Sequence, residues 1–300
     1  TNLWHGSFFM NYGLDGMTKP DWFATRYGLS RAEMDHTNYG ASVGGPIVRN
    51  STYFFAAYEG LRSSHPETSL NYVPDAASRA SAPAALRPYL EAFPLPNRTS
   101  SLSGVGIFAS SFTNPFDADS ASLRVDHSFS EKLQAFIRAS WMPSKRSYRG
   151  DDLTTANVIT DADNKPWAAV GALTWMPTGR TSNDLRFGFS KNDLTTSVTS
   201  DTFGGAKPLA GSLIYPSGIT AATAEYRLGV LGLAGYSASG GARTEQMQWN
   251  IVNNLTSIKG AHTIKAGVDF RRTSPTYFQR PYATEITFNG LSGSDGSLLS

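Results

Sequence analysis

Apolar and polar residues alternate with a period of two over much of this chain, and the runs come in pairs joined by short polar links. In 120–129, Ala121, Leu123, Val125 and Phe129 share one side, and Ser120, Ser122, Arg124, Asp126 and Ser128 share the other. His127 is the one polar residue on the apolar side. In 133–141 the apolar side carries Leu133, Ala135, Ile137, Ala139 and Trp141 against Gln134, Arg138 and Ser140, with Phe136 as the exception. Ser130-Glu131-Lys132 between the two runs reads as a tight hairpin turn. Leu185, Phe187 and Phe189 alternate with Asp184, Arg186, Gly188 and Ser190. Met247, Trp249, Ile251 and Leu255 alternate with Gln246, Gln248, Asn250 and Asn254. Ile264, Ala266, Val268 and Phe270 alternate with Thr263, Lys265, Gly267, Asp269 and Arg271.

The pattern predicts strands at 4–12, 37–48, 52–62, 119–129, 133–141, 167–176, 183–192, 243–257, 263–272 and 283–290. The connections sort by length. Those at 13–36, 63–118, 142–166, 193–242 and 273–282 are long; those at 49–51, 130–132, 177–182 and 258–262 are short. A soluble sandwich has no reason to place long loops at one end and short turns at the other. A transmembrane barrel does. Several runs also reach the ~9–11 residues a tilted membrane strand needs, above the ~5–6 of soluble strands. Trp4, Trp141, Trp167, Trp175, Trp249, Tyr12 and Tyr53 lie near strand ends, as aromatic girdles would. Within the long connection, "DAASRASAPAALRPYLEAF" (75–93) predicts a short helix that Asp75 caps and Pro83 and Pro88 limit. "GVGIFASSF" (104–112) reads as a further strand.

Composition agrees with a β protein. Charged residues are 17% of the 300, below the roughly 25% of soluble domains, and aromatics reach 12%. A net charge of +2 gives no nucleic-acid footprint. Without cysteine there is no disulfide framework and no thiolate metal site. No apolar run approaches the ~18–20 residues of a membrane helix. The chain opens in mid-pattern at "TNLWHGSFF" and stops in "LSGSDGSLLS", which reads as part of something longer.

Catalytic chemistry is not apparent, and no enzyme activity, cofactor or metal is expected. The histidines His5, His36, His65, His127 and His262 show no helical ligand spacing, and "GYSASG" (235–240) lacks the nucleophile-elbow spacing. "DADNK" (161–165) clusters carboxylates but lacks the glycine and distal Glu of a calcium loop. The charged strand faces are more telling. A midplane Arg or Lys facing lipid costs ~2–4 kcal/mol. In a barrel, Arg124, Asp126, Arg138, Asp184, Arg186, Lys265, Asp269 and Arg271 are therefore expected to line the lumen. The turn at 130–132 sets Arg124 opposite Arg138, two like charges that need a carboxylate such as Asp126, or a plug.

Four groups of residues resemble a known family. They are "TNLWHGSFFMNYG" (1–13), with His5-Gly6-Ser7; "YGASVGGPIVRNSTYFFAAYEGLR" (39–62), with Gly44-Gly45-Pro46 and Tyr58-Glu59-Gly60; "VPDAASRASA…FPLPN" (73–97); and two later hairpins. The hairpins are "SASLRVDHSFSEKLQAFIRASW" (120–141) and "QWNIVNNLTSIKGAHTIKAGVDFRR" (248–272), the latter with Gly260, His262, Lys265, Gly267 and Asp269 in a G-x-H-x-x-K-x-G-x-D pattern. In this order they resemble TonB-dependent outer-membrane receptors, specifically the Oar-like group with a carboxypeptidase-regulatory-like N-terminal domain. The resemblance implies a barrel of ~22 strands closed by a plug. It implies partners too: outer-membrane lipid, the TonB complex reached through a plug domain outside this sequence, and a ligand of unknown kind.

The expected fold is therefore an all-β, antiparallel transmembrane β-barrel. The chain would supply about ten strands of a larger plugged barrel, with long outer loops and short periplasmic turns. Residues 1–13 would join plug to barrel, and loops 63–118 and 193–242 would be extracellular and capture ligand. The expected function is TonB-energised uptake of a large or scarce solute. Two alternatives are a non-transporting surface or adhesion barrel and a soluble, secreted, carbohydrate-active β protein. Two details stay open: which of Tyr53, Phe54 and Phe55 face lipid, and whether the Gly-Gly-Pro break makes a bend or a bulge.

Overall fold

The computed structural model describes residues 2–13, 19, 22–151 and 153–288. In chain order, the first elements are β1 (His5–Gly13), α1 (Trp22–Arg26), β2 (His36–Val48), β3 (Thr52–Pro74), α2 (Ala76–Ser81), α3 (Arg87–Glu91), β4 (Arg98–Thr99) and β5 (Val105–Ser130). β6 (Leu133–Trp141), β7 (Ser144–Arg149), β8 (Val158–Asn164), β9 (Trp167–Thr178) and β10 (Thr181–Ser200) follow. The chain then forms α4 (Gly211–Ile214), β11 (Ala224–Val230), β12 (Tyr236–Ser239), β13 (Arg243–Lys259), β14 (His262–Phe278) and β15 (Tyr282–Phe288).

The wall is one antiparallel meander, β1-β2-β3-β5-β6-β9-β10-β13-β14, with β4, β7 and β8 added at the long-connection end. Its nine strands coincide with nine of the ten expected from alternation. The tenth does not join the wall. Residues 282–288 pair in parallel with β11, in a small separate sheet β12-β11-β15. The apolar side of 282–288 packs, through Ile286 and Phe288, against the core built from the long connections, hereafter the cap, rather than against lipid; residues 289 and 290 lie outside the described residues.

Register separates two faces. Phe54, Val125, Ile137, Gly171, Phe187, Ile251 and Phe270 form one continuous row across seven strands. Ile137, Phe187, Ile251 and Phe270 are left bare, Ile137 at 59% and Phe270 at 57% exposure, while Phe54 and Val125 are half-buried. Bare rows of that extent suit lipid, not water. Trp167 and Trp175 mark the band's two borders on one face of β9. Eight residues span about 27 Å along a strand, or about 20 Å across a bilayer at barrel tilt, close to the ~25 Å apolar band of such walls.

The Gly-Gly-Pro break resolves into a register shift between Pro46 and Val48, beside the turn. Proline has no donor to give the ladder, so the irregularity falls there. Asn50 closes the turn with φ of 64° and is held by Asn2, whose amide donates to Asn50 Oδ1 at 2.6 Å while its oxygen accepts from Asn50 N at 3.0 Å. Gly260 closes the β13–β14 turn at φ 62°.

The hydrophobic core lies outside the wall's apolar band. Val73, Phe93, Phe108, Phe112, Val158, Leu209, Ile214, Tyr226, Leu228 and Tyr236 form it, all from the long connections and the strand extensions that flank them. Half of the expected loop 63–118 is strand, since β3 runs to Pro74 over 23 residues and β5 starts at Val105 and runs 26. Loop 193–242 likewise carries the end of β10, α4, β11 and β12. The single helix expected over 75–93 is two, broken at Pro83 as proline geometry requires. Asp75 caps the first by accepting from Ser78 N at 2.7 Å. Residues 104–112 join β5 as a strand, apart from Gly104.

Candidate functional site: the polar face of the wall

The second face of the wall carries every charge singled out from the alternation. Arg124, Arg138 and Arg271 fall in one register row, which runs through Phe55, Val170, Gly188 and Asn250. Asp126, Arg186 and Asp269 fall in the next, with Tyr53, Phe136, Ala172 and Val252. Asp184 pairs in register with Asn254 and Thr174, and Lys265 with Thr256, so all eight share this side.

Arg124 does sit opposite Arg138. The repulsion is relieved as the sequence suggested: Arg124 donates to both Asp126 oxygens at 2.8 and 2.7 Å. Its guanidinium also lies 3.9 Å from the Phe136 ring centroid, a cation–π contact. Phe136, the misfit of the alternation, is thus an aromatic platform on the charged side. Arg186 donates to Asp184 at 2.6 Å, Thr174 adds a bond to Asp184 at 3.1 Å, and Asn250 donates to Asp269 at 2.7 Å. Arg138, Lys265 and Arg271 make no ion pair among the described residues, and all three are exposed.

The family-motif residues divide into three places. At the short-turn end, His5 and Gly6 pair across the register with Gly44 and Val43. There His5, Gly44, Tyr53, Phe55, Arg124 and Asp126 line one cavity of about 540 Å³. A side chain at Gly44 would come within 3.1 Å of the Phe55 ring, and one at Gly45 within 3.0 Å of the Trp4 ring. Trp4 in turn stands edge-on to Phe54 at 5.0 Å. Phe54 is therefore on the apolar face, while Tyr53 and Phe55 are on the polar one. Tyr53 is not a girdle residue; its hydroxyl donates to Asn2 Oδ1 at 3.1 Å.

Tyr58, Glu59 and Gly60 lie toward the long-connection end. Tyr58 donates to Asp119 at 2.5 Å on the apolar side, Glu59 is exposed on the polar side, and Gly60 makes room for the Tyr39 ring, 2.6 Å from where a Cβ would stand. Gly260, His262 and Gly267 lie on β14 and its turn, at the far edge. A Cβ at Gly267 would meet Asn254 Oδ1 at 2.6 Å, so glycine there admits the Asn254 amide. The motifs therefore do not converge on one site.

Alternation gave no sign of the polar network inside the cap. Arg79 is 8% exposed and donates to three carbonyls: Pro74 at 3.1 Å, Phe93 at 3.2 Å and Pro94 at 2.7 Å. Burial pulls its guanidinium pKa down, with Glu91 and Asp75 acting the other way. Asn157, fully buried, donates to Ala92 O at 3.0 Å and accepts from Thr155 at 2.6 Å. Burial raises the phenol pKa of Tyr226 and Tyr236, and the Tyr236 hydroxyl accepts from Leu209 N at 3.1 Å. The one sequence signal for this network is "FP" at 93–94, two buried residues in no strand whose carbonyls Arg79 takes up. Asp161 and Asp163, within the expected long connection 142–166, are on β8, where Asp163 pairs with Lys165 at 3.0 Å. No group of three or more His, Asp or Glu with metal-ligand geometry occurs among the described residues.

The outer membrane transporter YddB of Escherichia coli shares this fold at a TM-score of 0.53 and 10% identity, over 94% of this chain and 32% of that one. The open form of the ferric-catecholate import receptor Fiu of E. coli K12 aligns over 91% of this chain and 40% of its own, at 13% identity and a TM-score of 0.45. The chain thus spans less than half the length of either. No curated protein sequence matches it. Residues 1–86 and 78–298 match the family described as Outer membrane beta barrel domain. With a bare apolar band, girdling tryptophans and a charged opposite face, the chain belongs to the outer membrane beta barrel domain family and forms part of a barrel wall in the outer membrane.

Proposed function

We propose that this wall belongs to an Oar-like, TonB-dependent receptor that takes up a large or scarce solute. One observation carries the reading. The polar face holds eight charged positions in register, yet its cations Arg138, Lys265 and Arg271 have no ion-pair partner among the described residues. A wall that size around water alone would be a pore. A wall built to hold a plug leaves such charges for the plug to meet. Lumen placement of Arg124, Asp126, Arg138, Asp184, Arg186, Lys265, Asp269 and Arg271 is part of this proposal. So are the plug-side role of the cavity at His5 and Gly44 and contact with TonB through the plug.

The cap refines where solute would enter. The connections between β3 and β5 and between β10 and β13 share one core, so ligand capture falls to the surface of a packed unit rather than to two free loops. Removing 193–242 would take Leu209, Ile214, Tyr226, Leu228 and Tyr236 out of that core. Deletion of the gene and of TonB are therefore the cleaner tests. Accumulation of a panel of ferric siderophores, oligosaccharides and oligopeptides is measured in both strains. At least one solute should fail to accumulate in both. If every solute accumulates normally without the protein while surface attachment is lost, the barrel is adhesive.

A further inference from the structure

Above the upper tryptophan border, the apolar face changes character within two register rows. Arg62, Asp117, Lys145 and Asp163 form one row across β3, β5, β7 and β8. Nearby, Arg62 pairs with Asp119 at 2.9 Å, Lys165 with Asp163 at 3.0 Å, Lys191 with Glu245 at 3.0 Å and Arg243 with Asp193 at 2.5 Å. Lys145 stands apart. It is exposed, lies in register between Asp117 and Asp163, and makes no ion pair among the described residues.

Directly below runs an apolar groove of about 690 Å³. Ala121 lies between Tyr58 and Trp141 at the border, and in the next row Leu123 stands between Ala56 and Ala139, with Trp167 closing the side. The next row from this border carries Phe54, Ile137, Phe187 and Phe270, bulkier than the alanines beside the groove. Ala121 and Asp117 are four residues apart on β5, about 13 Å along the strand. That separation fits the step from the top of an acyl chain to its headgroup, and a lysine near a membrane border extends its ammonium toward that level.

We propose that this recess binds one phosphate-bearing lipid, with an acyl chain over Ala121 and Leu123 between Tyr58 and Trp141 and the phosphate on Lys145. Bilayer lipid is the occupant because the groove opens on the membrane-facing side. A phosphate is the headgroup because Lys145 is the one belt cation of this row without a carboxylate bound. The proposal rests on the membrane location and not on the transport reading, so either can fail alone.

The test uses the full-length protein in mild detergent. Binding of dioleoyl phosphatidic acid, dioleoylglycerol and inorganic phosphate is read by native mass spectrometry, with brominated acyl chains quenching tryptophan fluorescence. The expected result is one retained phosphatidic acid. Ala139→Phe, which fills the recess, should weaken it tenfold or more. Lys145→Glu should weaken phosphatidic acid by a similar factor and leave dioleoylglycerol unchanged. Folding is checked by heat-modifiable mobility, with Ala56→Leu on the neighbouring strand as the second filling variant. Equal binding of the two lipids, retention in both filling variants, or binding of inorganic phosphate alone would overturn the proposal.

Discussion

Arg79 gives the most exacting test of the cap. Replacing it with methionine keeps much of the length and removes the charge and all three hydrogen bonds to Pro74, Phe93 and Pro94. Two terms oppose. Burying a guanidinium costs several kcal/mol, and methionine escapes that cost. The three carbonyls are then left dry, at about 1–3 kcal/mol each. Pro94 is fully buried, so water cannot easily replace the lost donor there. The unsatisfied carbonyls outweigh the relieved desolvation, and the net loss is about 3 kcal/mol, roughly a hundredfold in the local opening equilibrium. Because no part of this network reaches the wall's apolar band, the loss should be local. Hydrogen exchange of the full-length protein in detergent reads this directly. Peptides covering 75–104 should exchange roughly a hundredfold faster in Arg79→Met, while those covering 133–141 stay within error of wild type. Arg79→Lys keeps the charge but offers a point donor instead of a fork, and should fall between the two. If 75–104 exchanges within twofold of wild type, the carbonyl cradle carries no stability. If wall and cap loosen together, they are not separate units.

The two wall faces should differ sharply under substitution: Leu123→Arg, on the bare apolar side, is expected to cost about 2–4 kcal/mol in urea titrations of the barrel in vesicles, while Arg138→Ser on the other side stays within about 0.5 kcal/mol. Equal costs would mean the faces are misassigned. The cap of α2 should be acid-labile. Its Ser78 backbone N–H holds the Asp75 carboxyl below the usual carboxylate range, so its contribution is full above that range and disappears as pH falls through the depressed value. Pepsin cleavage within 76–91 should therefore rise steeply at the acid end of the enzyme's range, and Asp75→Ser, which caps without titrating, should flatten the rise.

Period-two alternation is enough to specify the wall. It decides which side of each strand is apolar whatever the neighbours are, so nine strands, their short turns and the common face of the eight charges were legible without coordinates. Turn residues fixed the hairpin register, and with it the Arg124–Arg138 encounter and its relief by Asp126. Three things needed the tertiary structure. Alternation in 283–290 could not say which partner its apolar side meets, and only the assembled cap shows β15 beside β11 rather than β14. The run Tyr53-Phe54-Phe55 is apolar on both sides, so its pattern has no preferred phase. Register with Asp126, Val125 and Arg124 decided it. The cap core was hidden because its members are spread from Val73 to Tyr236, with no local period to link them. Its buried Arg79 and Asn157 look like ordinary surface residues in sequence, since what they satisfy are backbone carbonyls, which every residue has and no sequence displays.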